Sequence, residues 1–272
     1  MSDVEKRAQN QQQAADKTEQ QERAKQFRDY FSLQLRLAEV ISEKTASRLA
    51  DAVFQYTNFF RRFGLGYLPE VTPEWQKYAD KLNTLQTHEA RVKWTQEFFR
   101  HSAPERLPPG RRRFGCFGVD PANQDGAVRI HFSNYENDAI GPLRRAKIDT
   151  RKQELHAMFT YVHKTYPHAQ KVQGGSWLYN LEAYRRLFPP EYGASRVVLE
   201  ESSGFQGTSR WGQFLDHKGD VKPELREKFL ENLTSIDMDR LWAVFPLSTL
   251  RTHAPIQAFY AFYGIADEHE QQ

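Results

Sequence analysis

The stretch Val172–Phe188, VQGGSWLYNLEAYRRLF, decides how this chain is read. Residues 172–178 combine apolar and small side chains with paired glycines, which predicts a short strand. Asn180 predicts a helix start, because its side-chain oxygen can accept from the orphan N–H groups of a first turn. Leu181, Tyr184 and Phe188 fall at i, i+3 and i+7 on one stripe, with Arg185 and Arg186 turned away from it. Pro189 and Pro190 then stop the helix. A glycine-rich strand end that runs into a helix is where α/β folds place ligands, since helix-start N–H groups favour anions.

The neighbouring sequence extends the mixed pattern. LPPGRRR, Leu107–Arg113, reads as a linker or an edge. Residues 114–119 and 127–133 are strand-like, joined by the turn-rich PANQDG, so a hairpin is expected. Leu155, Phe159 and Val162 mark a helix of about four turns. Residues 196–199 form a further short β-type run. Residues 210–215 read as one arm of a hairpin turning near His217–Gly219. Pro223 suits a first helical position, and Leu225, Phe229, Leu233 and Ile236 carry that helix onto a core. The final APIQAFYAFYGI fits a helix or a terminal strand.

N-terminal to residue 107 the texture is helical. Leu33, Leu37, Val40 and Ile41 form one stripe; Leu49, Val53, Phe54 and Phe60 form another, which Gly64 ends. Trp75, Tyr78, Leu82 and Leu85 follow at helical spacing, then Val92, Trp94, Phe98 and Phe99. Residues 1–26 hold almost no large apolar group and read as a polar tail, disordered or ordered by a partner. The expected division is a 1–26 tail, a helical domain over 27–106, an α/β domain over 107–264 and a polar tail over 265–272. The fold class is therefore α+β, an all-helical N-terminal domain followed by a mixed α/β C-terminal domain.

The 272 residues carry a net charge of +3 from 38 basic and 35 acidic side chains, too even a balance for a typical nucleic-acid binder. Arg111–Arg113 beside two prolines reads as a surface linker. The single cysteine, Cys116, excludes an internal disulfide and any CxxC metal site, and it fits a cytoplasmic protein. No apolar run approaches the roughly 20 residues of a membrane helix, and no signal-peptide h-region is present, so no membrane partner is expected.

Several residues are candidates for chemistry. Alternation puts Val128, Ile130 and Phe132 on one strand face and Arg129, His131 and Ser133 on the other. That second face is either wet or lines a cleft, where His131 would serve as a general base. Gly141, Arg144, Arg145 and Lys147 form a Gly–Pro turn with three cations, suited to a phosphate or to a solvated loop. Ser176, in GGSWL, shares the first half of a G-x-S-x-G nucleophile elbow but lacks its second glycine. Trp211 and Gln213 either line a pocket or lie in the core. His156 and His163 are two helical turns apart, too far to share a metal, and no metal site is expected.

The order of hairpin strand IHF, helix, strand VQGGSWL, helix NLEAYRRLFP and WGQFLD resembles the GNAT-like acyltransferase C-terminal domain of bacterial two-domain proteins. The resemblance spans roughly residues 110–235. It implies a GNAT-like fold, acyl-CoA as co-substrate and a small-molecule or protein amine as acceptor. It also implies Tyr184 as general acid on the departing thiolate, Asn180 opening the helix, and Gly174 and Gly175 beside the pantetheine arm. Tyr184 directly follows Ala183, closer than the family pattern. The [QR]xxGx[GA] pyrophosphate loop is absent; Gly141–Lys147 stands in about that place. Two other functions stay open: a non-catalytic adaptor that kept the fold and binds a protein through residues 1–26 and Phe59, Phe60 and Phe63, and a serine hydrolase using Ser176.

Overall fold

The computed structural model describes residues 18, 20–67, 70–105, 107–136, 138–200 and 204–265. Within it the chain divides into two units. The first takes the described residues up to 105 together with residues 204–244; the second takes residues 107–200 and 245–265.

The first unit is helical. It contains α1 (Arg28–Thr45), α2 (Leu49–Tyr56), α3 (Phe59–Arg62), α4 (Pro73–Thr84) and α5 (His88–Arg100). Thr72 and Thr87 cap α4 and α5, their hydroxyls accepting from Trp75 N and Ala90 N. The apolar stripes converge: Phe31, Leu35, Leu37, Val53, Phe59, Phe63 and Tyr78 are all fully buried. This corrects one adaptor surface, because Phe59, Phe60 and Phe63 are core and present nothing to a partner. Residues 20–26, expected as part of a polar tail, are helical. Gln20 donates to Phe99 O (2.9 Å), Gln96 donates to Ala24 O (2.8 Å), and Ala24 is buried. Their order comes from within the chain; residues 1–17 and 19 lie outside the described residues, as do 266–272.

The second unit starts with β1 (Arg112–Phe114) and β2 (Phe117–Val119), then β3 (Ala127–Phe132). The single strand expected over 114–119 is instead a tight hairpin, because Gly115 takes a left-handed conformation (φ 57°) and reverses the chain. The 18-residue helix α6 (Ile148–Thr165) leads to β4 (Lys171–Ser176). A 3-10 turn over Trp177–Asn180 follows, then α7 (Glu182–Arg185), α8 (Pro190–Ala194) and β5 (Val197–Val198).

Residues 204–244 fold with the helical unit, not with the sheet as the sequence order suggested. They form α9 (Thr208–Trp211), a 3-10 turn over Gly212–Phe214, and α10 (Pro223–Leu233). The expected hairpin shrinks to one bridge, Leu215 to Val221. Trp211 and Gln213 are 0% exposed, so neither lines a pocket.

The chain then closes the sheet with β6 (Leu250–Pro255) and ends in α11 (Ile256–Tyr263). The final apolar run is thus strand and helix in turn. The six strands order as β1-β2-β3-β4-β6-β5. β3 and β4 run parallel, whereas the other neighbouring pairs are antiparallel. One face is apolar: Val119, Val128, Ile130, Val172 and Ala254 pack under Leu155, Phe159 and Val162 of α6 and Phe259 of α11. The other carries Arg129, Gln173, Arg251 and His253, all exposed, as the alternation in 128–133 predicts.

Candidate active site

The parallel pair is short. Ala127, Val128 and Arg129 lie opposite Lys171, Val172 and Gln173, and there the pairing ends. Beyond that point His131 and Phe132 pair with Gly118 and Phe117 of β2. Gly174, Gly175 and Ser176 pair with Thr252, Arg251 and Leu250 of β6. β3 and β4 therefore separate at their carboxyl ends, which leaves ladder groups on facing edges without a strand partner. Crevices outside the carboxyl ends of parallel strands are where open sheets bind ligands. Residues 133–136 leave β3 at this mouth, and residues 138–147 feed the start of α6. Arg186, just after α7, donates to Leu143 O (2.8 Å) and ties that loop to the segment following β4.

His131 stands on the polar face of β3. Its Nε2 bonds Asp120 Oδ2 at 2.7 Å, and Arg111 Nε donates to Asp120 Oδ1 at 2.6 Å. Burial pushes the His131 imidazole below its ordinary pKa, and the nearby Arg111 and Arg129 add to this against the pull of Asp120. Burial works the other way on Asp120, but the hydrogen bonds from His131 and Arg111 outweigh it and hold the carboxyl well below the usual range. At neutral pH the pair is thus a neutral imidazole on an ionised carboxylate. An ionised carboxylate only accepts, so Nε2 carries the proton and Nδ1 is the basic atom. Asp120 escaped the sequence reading, and Arg111, read there as part of a surface linker, is instead largely buried against Asp120. A hairpin register with Gly118 opposite His131 would have put Asp120 on the same face, because side chains alternate.

The apolar side of the mouth is aromatic. Tyr184 is buried, with its ring 5.5 Å from Phe132, 5.2 Å from Tyr179 and 5.0 Å from Phe188. Tyr179 and Tyr192 share a hydroxyl hydrogen bond of 2.8 Å. Burial raises all three phenols well above their ordinary pKa, so they remain protonated donors. Gly174 lies under this pair, where a Cβ would fall inside the contact shell of both the Tyr179 and Tyr192 hydroxyls. At Gly175 a Cβ would meet only Arg129 Nη2, at an ordinary 3.4 Å. The paired glycines therefore have different reasons. Gly174→Ala is expected to lose about 1–3 kcal/mol through overpacking, and Gly175→Ala less than about 1 kcal/mol. Urea unfolding of the two variants checks this; equal losses would refute it.

The remaining candidates divide. Asn180 does not open α7: the N-cap there is Leu181, and Asn180 Nδ2 donates to Trp177 O (2.7 Å) and Ser248 O (2.8 Å). Its amide N–H groups tie the 3-10 turn to Ser248, and no side-chain cap bond reaches α7. Ser176 is the cap of that turn, its Oγ accepting from Leu178 N at 3.2 Å. Its backbone is extended (φ −165°, ψ 154°), not the strained bend of a nucleophile elbow, and among the described residues no histidine bonds its hydroxyl. In the loop, Arg144 N donates to Gly141 O (3.0 Å), and the Arg144 and Arg145 side chains are exposed. Lys147 is engaged, 2.5 Å from Asp138 and 3.5 Å from Glu136. Cys116, Glu136 and Glu154 place possible ligand atoms within 4.8 Å of one another. The Arg151 guanidinium already bonds all three, so this cluster holds its own cation and does not fit a metal.

Among the described residues no helix is long and apolar enough to cross a membrane. No family model matches the chain, and no curated protein or solved structure does so.

Proposed function

We propose that the sheet unit is an acyl-CoA-dependent N-acyltransferase of GNAT-like fold, acting on an amine in the cytoplasm. The observation that carries this reading is the parallel pair β3/β4, which separates after Arg129 and Gln173 directly before the loop that starts α6. A thioester arm laid along Gly174–Ser176 would bond the edge that β3 abandons. Its phosphates would meet the exposed side chains of Arg144 and Arg145. Lys147 is committed to carboxylates and contributes less.

His131 Nδ1 takes a proton from the acceptor ammonium. The freed amine nitrogen bonds the thioester carbonyl carbon, and the C–S bond breaks. Tyr184, kept protonated by burial, lies next to Phe132 on the apolar side and gives its proton to the leaving thiolate. The acylated nitrogen gives up its second proton, which restores the Tyr184 phenol through solvent, and His131 releases the first to solvent, so the step yields an amide, a thiol and one proton.

Thermal unfolding with CoA and with acetyl-, medium- and long-chain acyl-CoA tests the reading. At a hundredfold excess over Kd, binding adds about 2.7 kcal/mol, a rise of roughly 5–10 °C. The double variant Arg144→Ala, Arg145→Ala should lose that rise. No shift with any thioester would overturn the acyltransferase and leave a non-catalytic protein that kept the fold.

A further inference from the structure

The helical unit contains a second constellation, unrelated to the strand mouth. Ser32 and Glu39 lie seven residues apart on α1, so both face the same side. His88 begins α5 and bridges them. Its Nε2 is 2.8 Å from Ser32 Oγ, and its Nδ1 is 2.9 Å from Glu39 Oε2. Arg91 Nη1 donates to Glu39 Oε1 at 2.8 Å, with Arg36 Nη1 3.7 Å from Oε2. Burial would raise the Glu39 pKa, but His88 and Arg91 outweigh it and keep the carboxyl ionised. An ionised Glu39 can only accept, so Nδ1 holds a proton, and the tautomer this selects offers Nε2 as acceptor to the Ser32 hydroxyl.

The serine behaves unlike its helical neighbours. Thr45, Thr57, Thr95 and Ser102 each return their hydroxyl to the carbonyl four residues back, the ordinary habit in a helix. Ser32 spends its hydroxyl on a histidine. It also lines a groove of about 300 Å³ between α1 and α10, with Asp29, Leu33, Arg36, Arg226, Glu227 and Leu230. That volume suits a small ligand. Leu33 and Leu230 supply apolar contact. The guanidinium groups that line the groove are Arg36, 3.7 Å from Glu39 Oε2, and Arg226, 3.8 Å from Asp29 Oδ2. A developing oxyanion would share them with those carboxylates, since the N–H of Ser32 belongs to the helix ladder.

We propose that Ser32, His88 and Glu39 form a nucleophilic serine site that accepts the acyl group of a small ester. His88 Nε2 takes the hydroxyl proton as Ser32 Oγ bonds the carbonyl carbon, and the carbonyl oxygen takes the negative charge beside a guanidinium. When the intermediate collapses, the ester C–O bond breaks and the alcohol leaves with the proton from His88. Water then attacks the acyl-serine, again giving a proton to His88, which returns it to Ser32 as the acid departs. Glu39 fixes the tautomer and ring of His88 throughout.

The full chain is treated with a fluorophosphonate probe, which loses fluoride to an activated serine, and the adduct is located by peptide mass spectrometry. The expected result is one adduct, on Ser32, absent from Ser32→Ala and reduced at least tenfold in His88→Gln, with both variants melting cooperatively. A further variant guards against misfolding: Ser32→Cys should gain a thiol that reacts with iodoacetamide at least tenfold faster than Cys116, which is buried. A folded protein that takes no probe, or that takes it at Ser176, overturns the proposal. So does a Ser32→Cys variant whose new thiol is alkylated no faster than Cys116.

Discussion

Replacing Arg151 by methionine is expected to destabilise the sheet unit by about 3–5 kcal/mol, the cost of stranding a buried charge's partners. Arg151 is 1% exposed on α6. Its Nη2 donates to Glu136 Oε1 (2.5 Å) and Glu154 Oε1 (2.9 Å), and its Nη1 to the Cys116 sulfur. Glu154 in turn accepts from Cys116 N at 3.1 Å and presses against Gly115, so its carboxylate holds the β1–β2 turn. Without the guanidinium, two carboxylates face each other with only Lys147, 3.5 Å from Glu136, for charge. Burial already holds the Glu154 pKa above its ordinary value, and losing Arg151 removes a positive charge that lowers it. A carboxyl whose folded pKa lies above its unfolded one is no burden below the unfolded value and costs stability as pH rises through the folded one. The deficit of Arg151→Met should therefore shrink as pH falls towards about 4. Adding Glu154→Gln should recover part of it at neutral pH. Urea unfolding at the two pH values measures both; a deficit under about 1 kcal/mol, or one that grows in acid, would sink the account.

Periodicity made much of this architecture legible. The alternation Val128-Arg129-Ile130-His131 predicts a sheet with one apolar and one wet face, and the exposure of Arg129 beside buried Val128 and Ile130 follows it. Helical stripes are as clear: Leu33, Leu37 and Ile41 are buried on α1 at the spacing read from sequence. What periodicity does not encode is the destination of an apolar face. Trp211, Phe214, Phe229 and Leu233 announce a core, but not whose, so their attachment to the helical unit was hidden. Local polar signals mislead for a related reason. Asn180 has the composition of a cap, yet its amide N–H groups bond two backbone carbonyls and the cap of the next helix is Leu181. Gly174 looks like a ligand-side glycine, while its reason is two tyrosine hydroxyls from residues 179 and 192. Ser32, His88 and Glu39 sit up to 56 residues apart in sequence, and only the packing of α5 on α1 assembles them.

Trp211→Ala is the sharpest test of where residues 204–244 belong. The Trp211 ring is 0% exposed and lies 5.7 Å from Phe214 and 5.6 Å from Phe229, all inside that segment. Its Nε1 donates to Tyr56 O at 3.2 Å. Tyr56 is the last residue of α2, so its carbonyl has no donor in its own helix and depends on this bond. Truncation removes the ring, leaves a cavity among aromatics that cannot collapse, and orphans that carbonyl. A loss of about 3–5 kcal/mol is expected. Trp211→Phe retains most of the packing and loses the donor, so about 1–2 kcal/mol is expected. Hydrogen exchange decides the assignment. In Trp211→Ala, amides of α9, α10 and α2 should exchange faster together, because they share one core, while those of β3, β4 and β6 keep wild-type rates. Faster exchange in the sheet strands with α2 unchanged would place the segment with the sheet after all, and the division of the chain would have to be redrawn.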